Sequence, residues 1–207
     1  MASNGTRSLP INGRKLGNTS RGICLGDREV SEIKTVWIIG PPCVGKTTLA
    51  KLFISRLREH NRACLLLDGD EVRDVFENKL GFDVKSRRKQ TERIKRIVKL
   101  VAGGDVLPVV AVIHPFEEGR AKCRKQFPGY FEVAIDCGMK ELLNRDNKKL
   151  YLPAIKGEKK NVVGVDIPFD PPVHADLTLN SENLSPDNLL DILWEKFTSR
   201  SKISNAG

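Results

Sequence analysis

Gly40-Pro41-Pro42-Cys43-Val44-Gly45-Lys46-Thr47-Thr48 follows directly on the apolar run Val36-Trp37-Ile38-Ile39, and Leu49, Leu52, Phe53 and Leu57 recur behind it at helical spacing. The nonapeptide satisfies G-x-x-x-x-G-K-[ST] in the strand-before, helix-after setting that gives the pattern its meaning. A β- and γ-phosphate pair carries several negative charges, and a turn opened by Gly40 and Gly45 lets successive backbone N–H groups converge on it at a helix N-terminus. Lys46 is placed to reach the transferring phosphate and the Thr47 hydroxyl to ligate Mg²⁺. The residues expected to hold ATP are therefore Gly40 through Thr48, with Cys43 filling a variable loop position by a small side chain.

Outward from this loop, short β-branched runs alternate with helical patterns, the signature of a parallel sheet covered by crossover helices. Strands are expected at Val36–Ile39, Ala63–Leu67, Val106–Ile113, Phe131–Ile135 and Ala175–Leu179, and Ile94, Ile97, Val98 and Val101 mark a helix by their i, i+3, i+4, i+7 spacing. Ser185 and Pro186 supply an N-cap and first turn for a last helix. The fold class is α/β, a three-layer arrangement of the P-loop NTPase type around a central parallel sheet of about five strands. No internal repeat or second core is visible, so residues 34–200 form one domain, preceded by a Ser-, Asn-, Gly- and Arg-rich extension over 1–33 and followed by a flexible tail over 201–207. The extension lacks both the apolar stretch of a secretory signal and the amphipathic face of an organelle presequence.

Composition narrows the function class. With 40% hydrophobic and 29% charged residues the chain is neither a disordered tail nor a disulfide miniprotein, and no apolar run approaches the roughly 20 residues of a membrane span. The five cysteines, Cys24, Cys43, Cys64, Cys123 and Cys137, are scattered and never spaced C-x-x-C, so they read as reduced thiols of a cytoplasmic protein. A net charge of +9 points to an anionic partner.

A phosphate loop does not by itself separate kinases from GTPases. Asn147-Lys148-Lys149-Leu150 lacks the acid of the guanine-reading N-K-x-D signature. Asp68 and Asp70, in Asp68-Gly69-Asp70 at the end of the second strand, face the crevice beyond the carboxyl ends of a parallel sheet. One carboxylate can hold the metal, assigned to Thr47 and Asp68, while the other orients or deprotonates an acceptor hydroxyl. Lys46, Asp68 and Asp70 are the expected catalytic groups. Residues 85–99 carry Lys85, Arg87, Arg88, Lys89, Arg93, Lys95, Arg96 and Lys99 against Glu92 alone. Such a run reads as a solvated face or a nucleic-acid footprint, yet helical geometry places Arg87 and Gln90 on the line of Ile94, Ile97 and Val101, pointing inward as an anion clamp that Arg73 can also reach.

These features together resemble the adenylylsulfate kinase family, P-loop enzymes that phosphorylate the 3′-hydroxyl of adenosine 5′-phosphosulfate. The resemblance is carried by Gly40–Thr48, Asp68-Gly69-Asp70-Glu71-Val72-Arg73, Leu80-Gly81-Phe82, Arg87, His114-Pro115-Phe116 with Arg120, Arg145-Asp146, Leu150-Tyr151, Gly157, Gly164, Asp166-Ile167-Pro168-Phe169 and Pro172. It implies that Phe82 stacks on the acceptor base, that Arg73 and Arg87 pair with its anionic groups, and that Arg145 lies near the adenine of ATP. It also implies acceptor contacts for Asp70, Gln90, His114, Lys148 and Leu150, and a lid around 147–170 whose basic segment Lys148–Lys160 closes over the phosphates to exclude water.

The chain departs from that family at three places: His114 stands where serine is usual and can bond a phosphate or pack beneath the pocket as a structural histidine, Gln90 stands where asparagine is usual, and Val162-Val163 where a Phe-Thr pair closes the acceptor base against the residue matching Phe82. A base held by an aromatic on one side only brings a sibling kinase, acting on a smaller activated nucleotide such as cytidine diphosphoramidate, alongside the adenylate reading. The expected partner is thus a small anionic nucleotide, with ATP and Mg²⁺ as cofactors, no membrane, and a homodimer allowed. A nucleotide- or nucleic-acid-binding module without catalysis is the reading from another class. The lack of aromatics among the basic residues speaks against a single-strand surface.

Overall fold

Every residue of β1 (Thr35–Ile39) is buried, because this strand lies at the centre of the sheet and is covered on both faces. The computed structural model describes Met1 and residues 32–201, so most of the extension expected over 1–33, the tail beyond Ser201 and Cys24 lie outside the described residues. After β1 the chain runs through α1 (Lys46–Glu59), β2 (Cys64–Asp68), α2 (Gly69–Val75), α3 (Val84–Ala102), β3 (Leu107–Val112) and α4 (Glu117–Gln126). It continues through β4 (Tyr130–Asp136), α5 (Met139–Asn144), α6 (Tyr151–Ile155), β5 (Leu177–Asn180) and α7 (Pro186–Ser201). All pairings are parallel, in the order β2-β3-β1-β4-β5.

Alternation along the strands sorts side chains into two apolar layers. Val36 and Ile38 join Val109, Phe131 and Val133 on one face, packed on Phe53 of α1 and Leu193 and Phe197 of α7. Trp37 and Ile39 join Val110 and Val112 on the other, packed on Val72 of α2, Ile94 and Val98 of α3 and Cys123 of α4. Because the strands run in one direction, Gly40, Asp68, His114 and Cys137 all fall at one edge of the sheet, where ligands of open α/β folds bind.

The five expected strands are present within one or two residues at each end. The Asp68-Gly69-Asp70 segment is a helix start rather than a turn: Asp68 caps α2, its Oδ1 accepting the Asp70 N–H at 2.9 Å. On α3, Gln90, Ile94, Lys95 and Val98 are buried while Ile97 and Val101 are only half-covered, so the inward stripe sits on a neighbouring line from that read in the sequence. Lys95 is thereby taken out of the basic surface, its ammonium held at 2.9 Å by Glu92.

One buried cation fastens distant segments. Arg120 is 0% exposed. Its Nη1 donates to the His114 carbonyl at 2.9 Å, Nη2 to the Asp170 and Pro171 carbonyls at 2.8 and 3.1 Å, and Nε to Glu117 at 2.9 Å. Asp170 is further tied to the same corner, its N–H donating to the Pro115 carbonyl at 2.8 Å and its carboxylate accepting the Glu117 N–H at 2.8 Å. Removing the guanidinium leaves the buried His114 carbonyl and the partly covered Asp170 and Glu117 acceptors without this partner, and empties the space of a fully buried side chain. Arg120→Ala is expected to lower the unfolding free energy by about 3–5 kcal/mol in urea titration, against about 0–1 kcal/mol for the exposed Lys122→Ala.

Candidate active site

The loop after β1 is shaped by close approach and by its own carbonyls. Gly40 adopts φ 154°, and a Cβ there would stand 2.4 Å from the Ile135 carbonyl oxygen, so β4 leaves no room for a side chain. Gly45, at φ 99°, precedes α1 in the left-handed region that glycine enters without strain. Cys43 takes the same region, at φ 64°, without that freedom. The Lys46 ammonium donates to the Pro41 carbonyl at 2.7 Å and the buried Tyr151 hydroxyl donates to the Pro42 carbonyl at 2.9 Å.

The expected metal pair is assembled. Thr47 Oγ1 donates to Asp68 Oδ2 at 2.6 Å, so Asp68, although only 8% exposed, faces the phosphate loop. Among the described residues no group of three or more His, Cys, Asp or Glu side chains could hold a metal. A hydroxyl and one carboxylate instead suit a hard cation that completes its shell with phosphate and water oxygens, the habit of Mg²⁺. Asp70 lies across the opening, exposed, its Oδ2 2.7 Å from the Lys148 ammonium. Removal from solvent pushes the Lys46 ammonium down to about 8, with Asp68, Cys43 and Asp70 acting in the opposite sense.

On the acceptor side, Phe82 presents a half-exposed ring with the Arg73 guanidinium 4.8 Å and the Arg87 guanidinium 5.8 Å from its centroid. Arg73 is held by the Leu80 and Gly81 carbonyls at 3.2 and 3.1 Å, and Arg87 by the Asn161 carbonyl at 2.8 Å. Burial, then the neighbouring Arg73 charge, lowers the pKa of Arg87, with Asp166, Asp70 and Asp83 acting in the opposite sense. Beside them Gln90 is 4% exposed, and both of its amide atoms and the Arg87 Nε have no hydrogen-bond partner. Buried polar groups are rarely left so.

The 147–170 segment meets the loop through Asp146. Its Oδ2 accepts the Leu150 and Tyr151 N–H groups at 2.7 Å each and its Oδ1 accepts the Cys43 thiol at 3.6 Å. Arg145, at the end of α5, donates to Glu141 and to Ser181 beyond β5, and Leu150 packs on the apolar core. Val162 and Val163 are buried, Val162 within the α1 and α7 layer.

His114 packs beneath the sheet edge, one of the two places expected for it. It adopts φ 46°, and its ring packs on Trp37 at 5.3 Å between centroids and reaches Cys123 Sγ at 3.9 Å, within the layer between the sheet and α4. Burial pushes it down to about 3, so it is neutral and supports the sheet edge from beneath. The sequence reading passed over Asp146 and Tyr151 as loop contacts and Arg120 as a clamp.

The adenylylsulphate kinase family model matches residues 32–180. The adenylyl-sulfate kinase of Thermodesulfovibrio yellowstonii is 33% identical over 153 residues, covering 73% of this chain and 76% of that protein. The cytidine diphosphoramidate kinase of Campylobacter jejuni is 35% identical over 146 residues, covering 70% and 85%. Among solved structures, that of the Mycobacterium tuberculosis APS kinase in complex with AMPPNP and APS superposes with a TM-score of 0.74 at 31% identity, covering 80% of this chain and 98% of that one.

Two outcomes are expected from the loop geometry. Gly40→Ala, which drives a Cβ into the Ile135 carbonyl, abolishes nucleotide binding in calorimetric titration. Because Lys46 attracts phosphate only when charged, kcat/KM for ATP falls with rising pH above about 8, by about tenfold per unit at the limit. Lys46→Arg, charged throughout that range, flattens this limb in a pH–rate profile.

Proposed function

The chain belongs to the adenylylsulphate kinase family, phosphotransferases that act on a hydroxyl acceptor, and we propose that it transfers the γ-phosphoryl of MgATP to the 3′-hydroxyl of adenosine 5′-phosphosulfate. The products are ADP and 3′-phosphoadenosine 5′-phosphosulfate. The observation that carries the reading is the exposed Phe82 ring flanked by Arg73 and Arg87 beside the unpartnered amide of Gln90. An aromatic face, two forked cations and a free amide are what an acceptor with a base and an anionic phosphosulfate would engage.

The division of labour between the two carboxylates follows from their surroundings. Asp68 has both oxygens committed, to Thr47 and to the first turn of α2, which suits the metal side. Mg²⁺, held by Thr47 and Asp68, would supply charge neutralisation on the β- and γ-phosphates. Asp70 is open to the crevice and accepts the hydrogen bond of the acceptor hydroxyl, taking its proton as the oxygen–phosphorus bond forms and the bond to the ADP oxygen breaks. Lys46 and the loop amides stabilise charge on the transferring group, while Arg73 and Arg87 hold the acceptor in line. Lys148, paired with Asp70 in the free protein, lies within reach of the same phosphates when the segment 147–170 covers the site.

A second reading has its own support. Val162 is packed in the core, so the acceptor base meets an aromatic on one side, which favours a smaller pyrimidine, and the relative from Campylobacter jejuni carries the name of a cytidine diphosphoramidate kinase. ADP release from MgATP with each acceptor in turn separates the two. Adenosine 5′-phosphosulfate is expected to give the higher kcat/KM, with Lys46→Ala inactive on both; a higher value for cytidine diphosphoramidate transfers the assignment to the second acceptor. With the better acceptor, Arg87→Ala is expected to lower kcat/KM by about 10- to 100-fold while KM for ATP stays within about twofold.

A further inference from the structure

We propose that Tyr151 is a positioning residue for the nucleotide: by holding the Pro42 carbonyl, its buried hydroxyl keeps the Cys43 N–H turned into the phosphate nest. The inference rests on reading residues 40–48 as the ATP site.

The argument is stereochemical. In a trans peptide the carbonyl oxygen and the following N–H point to opposite sides of the chain. Pro41 and Pro42 have no N–H, so the first amide the loop can offer after Gly40 is that of Cys43. Its direction is set by the Pro42 carbonyl, which is drawn away by the Tyr151 hydroxyl at 2.9 Å. The arrangement is under strain, because Cys43 sits at φ 64°, a region that a residue with a Cβ seldom occupies. Rotating the Pro42–Cys43 peptide by half a turn would return Cys43 to negative φ, and would point the amide outward and a carbonyl oxygen at the phosphates. Tyr151 opposes that rotation from a fully buried position.

The hydroxyl is itself fixed. Burial holds the Tyr151 phenol well above its ordinary pKa, so it remains a donor. Asp146 accepts the Tyr151 N–H through one carboxylate oxygen and the Cys43 thiol through the other, gripping both sides of the contact. Pro41, the preceding carbonyl, is turned aside in the same way by Lys46. Since Tyr151 opens the helix that lies within 147–170, the segment that covers the site and the loop that holds the nucleotide share one hydrogen bond.

The test uses the full chain and measures ADP affinity by calorimetry beside steady-state kinetics. Tyr151→Phe keeps the ring and removes the hydroxyl. It is expected to raise the Kd for ADP and the KM for ATP together by about tenfold, with kcat and the acceptor KM within about twofold, because a loop amide contacts substrate and product alike. Asp146→Ala is expected to reproduce this loss, Asp146→Asn to restore most of it by keeping a carbonyl oxygen, and the double variant Tyr151→Phe/Asp146→Ala to lose little more than either single change. If Tyr151→Phe leaves ADP affinity within twofold while Lys46→Ala abolishes it, the inference fails and the ATP site stands. A loss confined to kcat or to the acceptor KM overturns it too, making Tyr151 a packing residue of the covering segment. If Gly40→Ala leaves ADP affinity intact, the ATP site itself is misread.

Discussion

A loop can bind phosphate through its backbone only if its amides face inward, and the planarity of the peptide then forces its carbonyls outward, where each needs a donor. Much of this structure answers that requirement. Lys46 satisfies Pro41 and Tyr151 satisfies Pro42. Gly40 lets the turn lie against the end of β4 with no side chain between, and α1 begins where the loop ends, so its free N–H groups and its dipole point into the same space. The central strand is buried along its whole length because it must deliver this loop at a fixed height above the sheet.

The acceptor half is organised by charge and apolar surface instead. Arg73 and Arg87 crowd one aromatic ring, and each is oriented by main-chain carbonyls rather than by a carboxylate. Carbonyls fix direction while leaving the positive charge largely uncancelled, which keeps the pair available to an anion. The two halves meet through Asp68, which caps α2 with one oxygen and receives the Thr47 hydroxyl with the other, so a change in either half is felt by the same carboxylate. Arg120 secures the far end of the 147–170 segment to the β3–α4 turn and Asp146 secures its near end to the loop. Between the two anchors, Lys148 pairs with Asp70.

The sheet and its order of elements were legible because a parallel strand writes a continuous β-branched run and a crossover helix writes a 3.6-residue period. The loop was legible because backbone recognition of phosphate demands glycine at particular places. What depended on side-chain direction was less so. The helical start at Gly69 was hidden in an Asp-Gly pair that also reads as a turn. Lys95 reads in sequence as one more exposed cation of a basic run, because the pattern does not reveal that its side chain is buried and paired with Glu92. Which of its two expected places His114 takes is decided by its backbone, which enters the left-handed region and carries the ring under α4 against Trp37 and Cys123. Tyr151 enters the sequence reading only as part of the Leu150-Tyr151 pair that carries the resemblance. Its hydroxyl bond to Pro42 joins residues 109 positions apart, a separation no local pattern records.

The unsatisfied amide of Gln90 and the free Nε of Arg87 have a consequence beyond recognition. Buried polar groups without partners cost the folded state, and a ligand that pairs with them favours folding by mass action. Resistance to heat and to proteolysis would then rise on addition of any such ligand.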